Sequence, residues 1–257
     1  MGKELNIALI QSPLFWEDPK QNRKMFSEII AGISDDTDLI VLPEMFTTGF
    51  TMSPQKIDPS EGVKTIKWMQ GEAAKKDAAL IGSIVMKEDD KHFNRLCFVE
   101  PDGGINTYDK RHTFTLAGED KVYTAGEKKV LTEFRGFRFY PLICYDLRFP
   151  VWSRNTEDYD VLLYVANWPE KRVLAWDTLL KARAIENMAY CIGVNRVGED
   201  GGGYVYSGHS AVYDGLGKQL TFSDRETVLY ATLEKDHIRS IRNTLRFLED
   251  RDHFSLK

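Results

Sequence analysis

Short runs of apolar, mostly branched residues alternate with amphipathic stretches along nearly the whole chain, and this rhythm restricts the fold more than any other feature. Leu5–Gln11, Leu39–Leu42, Leu80–Met86, Leu96–Glu100 and Ile105–Tyr108 read as strands in the first half. Phe137–Ile143, Val161–Val165, Tyr190–Asn195, Ser210–Tyr213 and Val228–Leu233 do so in the second. Asp18-Pro19 opens a helix, since a capping carboxylate precedes a residue whose missing N–H costs nothing in the first turn. Met25, Ile29 and Ile33 then repeat every four residues. Thr65–Lys76 carries Ile66, Met69 and Ala73 on one side, and Val173–Met188 carries Leu180, Ala184 and Met188 in register. Pro101–Gly104 and Asp214-Gly215 are turn signals. Strands alternating with helices, plus a few hairpins, predict an α/β fold of mixed sheets with helices on the outer faces.

A chain of 257 residues lies between one and two units of about 150 residues, and a single layered domain can absorb all of it. No linker, repeat or low-complexity segment interrupts 1–257, so one domain is expected. Gly201-Gly202-Gly203 reads as a mobile loop, because no strand–glycine–helix context makes it a phosphate cradle. Over 236–257, Ile238, Ile241, Leu245 and Leu248 recur at helical spacing and Phe254 follows. That pattern suits a C-terminal helix and tail at a subunit interface as well as it suits a plain surface helix.

The charge balance of 34 basic against 39 acidic residues, net −5, excludes a mainly electrostatic role on nucleic acid or an anionic membrane. No apolar stretch approaches the ~20 residues that span a bilayer. MGKELNIALIQ lacks the basic-then-apolar layout of a signal peptide, so a cytoplasmic protein is expected. The three cysteines form no CxxC, the five histidines are scattered, and no HExxH occurs. Neither a disulfide framework nor a metal site follows, and no cofactor is expected.

Three polar residues stand at the ends of strand-like runs. Glu44 follows Leu39–Pro43, in the position where α/β folds put functional groups beyond strand C-termini, although such a carboxylate is also an ordinary solvated loop residue. Cys144 ends Phe139–Ile143 and precedes Tyr145-Asp146, with Arg148–Asn155 able to begin a helix. A free cysteine is by default an inert core thiol, but a strand–turn–helix with a nucleophile at the bend resembles the elbow of acyl-transfer enzymes. A helix N-terminus there would favour thiolate. Cys97 and Cys191 lie inside apolar strands and read as core. Lys110, in Tyr108–His112, reads alone as a solvent-exposed lysine. Together, carboxylate, ammonium and thiol make a complete amide-hydrolysing set of base, oxyanion partner and nucleophile.

LPEMFTTGF around Glu44, YDKRHTF around Lys110 and CYDLRFP around Cys144 resemble, in order and spacing, the three signature segments of the nitrilase superfamily of carbon–nitrogen hydrolases. The continuation CYDLRFPVWSRN, then YVANWP and ARAIEN, is most similar to the omega-amidase branch, which hydrolyses 2-oxoglutaramate and 2-oxosuccinamate. The resemblance implies a four-layer αββα sandwich that associates into homodimers or larger assemblies, and a small-molecule amide as the partner. It further implies that Glu44 acts as base, Cys144 as thioester-forming nucleophile and Lys110 as oxyanion partner, with the backbone N–H of Tyr145 as a second donor. A second carboxylate positions lysine and substrate in relatives; Glu119 matches it, with Glu127 as the alternative. Nitrile hydrolysis, N-carbamoyl-amine hydrolysis and acyl transfer to an amine use the same three groups. Thr113 stands where many relatives have Leu, which bears on the pocket or its support.

Substrate choice requires further groups. Arg148 can pair with the carboxylate of an oxo-acid amide, or else with Asp146 or Glu44 as a structural ion pair. Trp168 suits a pocket wall or the core. His112 and His209 raise a cysteine–histidine alternative, but His112 sits two residues from Lys110 and more readily supports that loop.

Overall fold

The computed structural model describes residues 3–256. The chain lays down most of one six-stranded sheet, then a second, and returns to the first with its last strand. The first half supplies β1 (Glu4–Gln11), β2 (Leu39–Val41), β3 (Ala79–Glu88), β4 (Lys91–Val99) and β5 (Ile105–Asp109), with α1 (Pro19–Ala31) and α2 (Glu61–Lys76) in the connections. The second half supplies β6 (Thr132–Phe134), β7 (Phe137–Ile143), β8 (Val161–Val165) and β9 (Tyr190–Val194), joined through α3 (Pro150–Ser153) and α4 (Val173–Asn187). β10 (Val197–Glu199) and β11 (Val205–Ser207) pair as a separate hairpin. β12 (Ser210–Tyr213) and β13 (Gln219–Ser223) complete the second sheet. β14 (Thr227–Glu234) crosses back to pair with β1 and leads into α5 (Lys235–Leu245). Each sheet has a parallel triplet, β1–β2–β3 and β7–β8–β9, flanked by antiparallel strands.

Side-chain alternation assigns the layers. Ile7 and Leu9 of β1 share one core with Phe139, Leu142 and Val161 of the second sheet. Ala8 and Ile10, on the opposite face, pack on Phe26 and Ile30 of α1 and Met69 and Ala73 of α2. α4 lies on the second sheet, where Gly193 leaves room for Leu180 and Trp176; a Cβ there would sit 2.3 Å from Leu180 Cδ1. The result is the expected αββα sandwich, closed by burial of large aliphatic side chains worth about 1.5–3 kcal/mol each.

Asp18 caps α1 as read, accepting from the Gln21 N–H at 2.9 Å. Other boundaries differ. α2 starts at Glu61 rather than Thr65. Met188 leaves the helical region and caps α4 in the left-handed conformation at φ 46°, while its side chain stays buried. β4 starts at Lys91, joined to β3 by a two-residue turn with Asp89 at φ 50°. The Gly201–Gly203 run is the tip of the β10–β11 hairpin, where Asp200 Oδ1 accepts from the N–H groups of Gly202 and Tyr204 at 2.8 and 3.0 Å.

The helix expected over Arg148–Asn155 does not form. Cys144–Arg148 is a 3-10 turn, Phe149 is non-helical, and α3 lasts one turn before Arg154 becomes extended. Pro150 accounts for the break, because the residue before a proline is driven out of the helical region.

Candidate active site

Parallel strands of both sheets point their C-termini toward one crevice, the usual place for function in open α/β sheets. Glu44 follows β2, Lys110 follows β5, Cys144 follows β7, and Asn167 and Trp168 follow β8. Glu44 and Glu119 have no solvent exposure, and Lys110 is 1% exposed. The Lys110 Nζ donates to Glu44 Oε1 at 2.9 Å and to both Glu119 oxygens at 3.1 and 2.9 Å. It also lies 5.1 Å from the centre of the Phe50 ring.

The carboxylates are held from other directions as well. Asn94 Nδ2 donates to Glu44 Oε1 at 2.8 Å and to Glu119 Oε1 at 3.2 Å. Glu44 Oε2 accepts from the Asn167 N–H at 2.8 Å, and the Glu44 carbonyl accepts from Asn167 Nδ2 at 2.6 Å. The Phe114 N–H donates to Glu119 Oε2 at 2.6 Å. One lysine between two glutamates makes a buried polar cluster, tolerated because every carboxyl oxygen is hydrogen-bonded.

Cys144 opens its 3-10 turn with φ 42°, a left-handed conformation that strains a residue with a Cβ by about 1 kcal/mol or more. Its Sγ lies 3.9 Å from the Asn167 carbonyl oxygen. Tyr145 is second in the turn, so its N–H lies outside the turn's own i→i+3 ladder.

Burial pushes the Cys144 thiol well above the ordinary range, and Glu44 adds to this while Lys110 opposes it. The expected lowering by a helix N-terminus is therefore overturned: only a five-residue turn begins at Cys144, and desolvation outweighs the ammonium. Lys110 is held above its usual value, because Glu119 and Glu44 outweigh its own desolvation. Burial raises the Glu119 carboxyl and Glu44 reinforces the shift, with Lys110 and the Phe114 N–H pulling it down.

Behind the thiol, Asp146 binds two segments together. Its fully buried carboxylate accepts from the Ile143 N–H at 3.0 Å and the Tyr108 hydroxyl at 2.8 Å through Oδ2. Oδ1 accepts from the His112 N–H at 3.0 Å and meets His112 Nδ1 at 2.7 Å. His112 thus supports the lysine segment. His209 instead pairs with Asp177 and stacks edge-on against Phe222.

The ion pair weighed between Arg148 and Asp146 or Glu44 is not formed, since both carboxylates are occupied by other donors. Arg148 is exposed, lies 4.8 Å over the Trp168 ring and faces a cavity of about 530 Å³. Cys144, Tyr145, Asn167 and Trp168 line the same cavity. Trp168 is both wall and core, at 3% exposure, with its Nε1 donating to the Arg172 carbonyl at 2.8 Å. Glu127 is exposed on a different depression beside Trp152, so Glu119 is the carboxylate that meets Lys110. Thr113 does not line the cavity; its neighbour Phe114 does.

Sequence reasoning missed Asn94, Asn167, Asp146 and Arg172. Asn94 carried a usable signal, a polar residue at an inward position of an otherwise apolar strand.

The sequence profile described as carbon–nitrogen hydrolase matches residues 6–243. The omega-amidase YafV of Yersinia enterocolitica is 44% identical over 254 residues, covering 98% of each chain. The 2-oxoglutaramate amidase of Bacillus subtilis is 29% identical over 250 residues, covering 95% of this chain and 96% of that one. A CN-hydrolase superfamily protein from Xanthomonas campestris, crystallised with an arsenic adduct in its active site, superimposes with a TM-score of 0.96 at 39% identity over 99% of both chains. Nit3 of Saccharomyces cerevisiae, a nitrilase superfamily member, gives 0.84 at 26% identity over 95% and 94%.

Proposed function

Since this chain belongs to the carbon–nitrogen hydrolase family and hydrolyses amides, we propose that its substrates are short amides bearing a carboxylate, 2-oxoglutaramate and 2-oxosuccinamate foremost, cleaved through a thioester on Cys144. One observation carries the reading: the buried Glu44–Lys110–Glu119 cluster adjoins a cavity whose wall holds both the Cys144 thiol and the Arg148 guanidinium, which forms no salt bridge among the described residues. The names of the omega-amidase and 2-oxoglutaramate amidase relatives support the substrate class.

The electrostatics of the site support the following course. At rest the thiol keeps its proton, because burial opposes a thiolate. Glu44 therefore removes that proton as Sγ attacks the amide carbon, and negative charge passes to the carbonyl oxygen. The Lys110 ammonium, held protonated by two carboxylates, and the Tyr145 N–H receive that oxygen. Each such donor typically lowers the barrier by about 3 kcal/mol. Glu44 returns the proton to the nitrogen as the C–N bond breaks, releasing ammonia and leaving the thioester. Water, deprotonated by Glu44, attacks the thioester and frees the acid and the thiol. Glu119 keeps Lys110 in place throughout, and Arg148 pairs with the substrate carboxylate.

Ammonia release is the test. The panel comprises both oxo-acid amides, asparagine, glutamine, a nitrile and an N-carbamoyl amine, each run beside Cys144→Ala. Turnover of the oxo-acid amides by the wild type alone is expected. Equal behaviour of the two proteins on every amide overturns the mechanism, and preferred turnover of the nitrile or carbamoyl compound overturns the substrate class. Mass spectrometry of quenched reactions should show an acyl adduct on Cys144; free acid formed in burst kinetics without that adduct excludes the thioester.

A further inference from the structure

We propose that Arg172 selects the 2-oxo group of the substrate, so that Arg148 and Arg172 together distinguish a 2-oxo acid amide from the corresponding saturated amide. This rests on the reading of the site as one for carboxylate-bearing amides. Both arginines line the cavity, and among the described residues neither guanidinium makes a salt bridge or side-chain hydrogen bond. Each is instead laid on an aromatic face, Arg148 at 4.8 Å from the centre of the Trp168 ring and Arg172 at 5.2 Å from that of Phe114. A guanidinium held by stacking keeps its N–H donors free for a ligand, as one held by carboxylates does not.

The two positions are mechanically connected. Trp168, which carries the Arg148 guanidinium on its face, fixes the Arg172 backbone by donating from Nε1 to its carbonyl at 2.8 Å. Phe114, which carries the Arg172 guanidinium, packs edge-on at 4.9 Å against Tyr145, the residue after the nucleophile. Arg172 therefore meets two aromatic walls of the cavity, Trp168 through its backbone carbonyl and Phe114 through its guanidinium.

Among the described residues, the acidic residues of the cavity form no salt bridge with this pair. Asp200 is engaged by three donors of its own hairpin, the Gly202 and Tyr204 N–H groups and the Tyr206 hydroxyl at 2.7 Å. Glu17 accepts from the Thr51 hydroxyl at 2.5 Å. A 2-oxo acid offers acceptors on two adjacent carbons, a carboxylate and a carbonyl oxygen. Two guanidiniums match that pattern, one for the carboxylate and one for the carbonyl oxygen. An ammonium in place of the oxo group offers no acceptor and is repelled by both.

The test compares kcat/KM for 2-oxosuccinamate, succinamate and propionamide in wild type, Arg172→Gln and Arg148→Gln. Wild type should prefer 2-oxosuccinamate over succinamate. Arg172→Gln should lower kcat/KM on 2-oxosuccinamate tenfold or more, chiefly through KM, and lower succinamate by a much smaller factor, so that the ratio moves toward one. Equal losses on both, or no loss on either, overturn the assignment of Arg172. Arg148→Gln should weaken both carboxylate-bearing amides relative to propionamide. If it does not, the carboxylate reading of the pocket falls whatever Arg172 does.

Discussion

Replacing Asp146 by Asn tests whether this carboxylate holds the cysteine and lysine segments in register. The native side chain takes four hydrogen bonds at 2.7–3.0 Å, two on each oxygen, with no exposure to water. Asparagine is nearly isosteric but has one acceptor oxygen. With that oxygen toward Ile143 and Tyr108, the amide NH₂ points at the His112 N–H and at Nδ1. A tautomer change lets Nδ1 accept, but the backbone N–H of His112 still faces a donor. An unsatisfied buried donor costs about 1–3 kcal/mol, and the remaining bonds lose the extra strength of a charged acceptor. The sum is a destabilisation of about 2–4 kcal/mol. Because Ile143 immediately precedes the nucleophile and His112 lies two residues past Lys110, kcat should fall about tenfold as well, equivalent to ~1.4 kcal/mol in the barrier. Urea unfolding followed by tryptophan fluorescence reads the first quantity and ammonia release the second. A variant within 0.5 kcal/mol of wild type with unchanged kcat, on the scale of ordinary surface substitutions, refutes the assigned role.

Three further outcomes are expected. Cys144→Gly and Cys144→Ala should both be inactive, but Gly relieves the left-handed strain at φ 42° and should be the more stable in urea by about 1 kcal/mol; equal or reversed stability counts against strain at the nucleophile. Since burial raises the Cys144 thiol above its ordinary value, its alkylation by iodoacetamide should still be accelerating at pH 9, and a plateau by pH 8 would contradict that direction. Gly126→Ala places a Cβ 2.1 Å from the Asp109 carbonyl oxygen, while the Gly126 N–H donates to the Lys110 carbonyl at 2.9 Å, so this substitution should destabilise by about 3 kcal/mol and depress kcat; wild-type stability and rate would refute it.

The strands that position the site were legible where apolar runs were unbroken, as in Phe137–Ile143 and Val161–Val165, each buried at nearly every position. β4 was half hidden because Lys91–Arg95 mixes charge with apolar residues, an edge-like pattern on a strand whose far end is fully buried. The pairing of β14 with β1 left no trace, since partners more than two hundred residues apart share no local signal. Glu44 and Cys144 stood out because each ends an apolar run, whereas Lys110, after the mixed strand Ile105–Asp109, gained meaning only beside the other two and through the YDKRHTF segment. Asp146 and Asn167 did not, because a polar residue following a strand looks the same whether it faces water or binds a buried donor. Arg172 was masked by the charged turn Glu170–Arg172, which reads as an ordinary solvated corner.

The placement of the cluster across two sheets has a consequence for how the enzyme fails. Glu44 and Lys110 hang from one half of the chain and Cys144 from the other, and their spacing is set where the sheets meet, by the apolar seam and by the hydrogen bonds of Asn167 to Glu44 and of Tyr108 and His112 to Asp146. Cleavage of the peptide bond in the crossover at 127–130 would leave each fragment with an incomplete set of reacting groups. Turnover after such a nick therefore reports whether the seam still clasps, which makes catalysis a gauge of inter-sheet cohesion rather than of chain integrity.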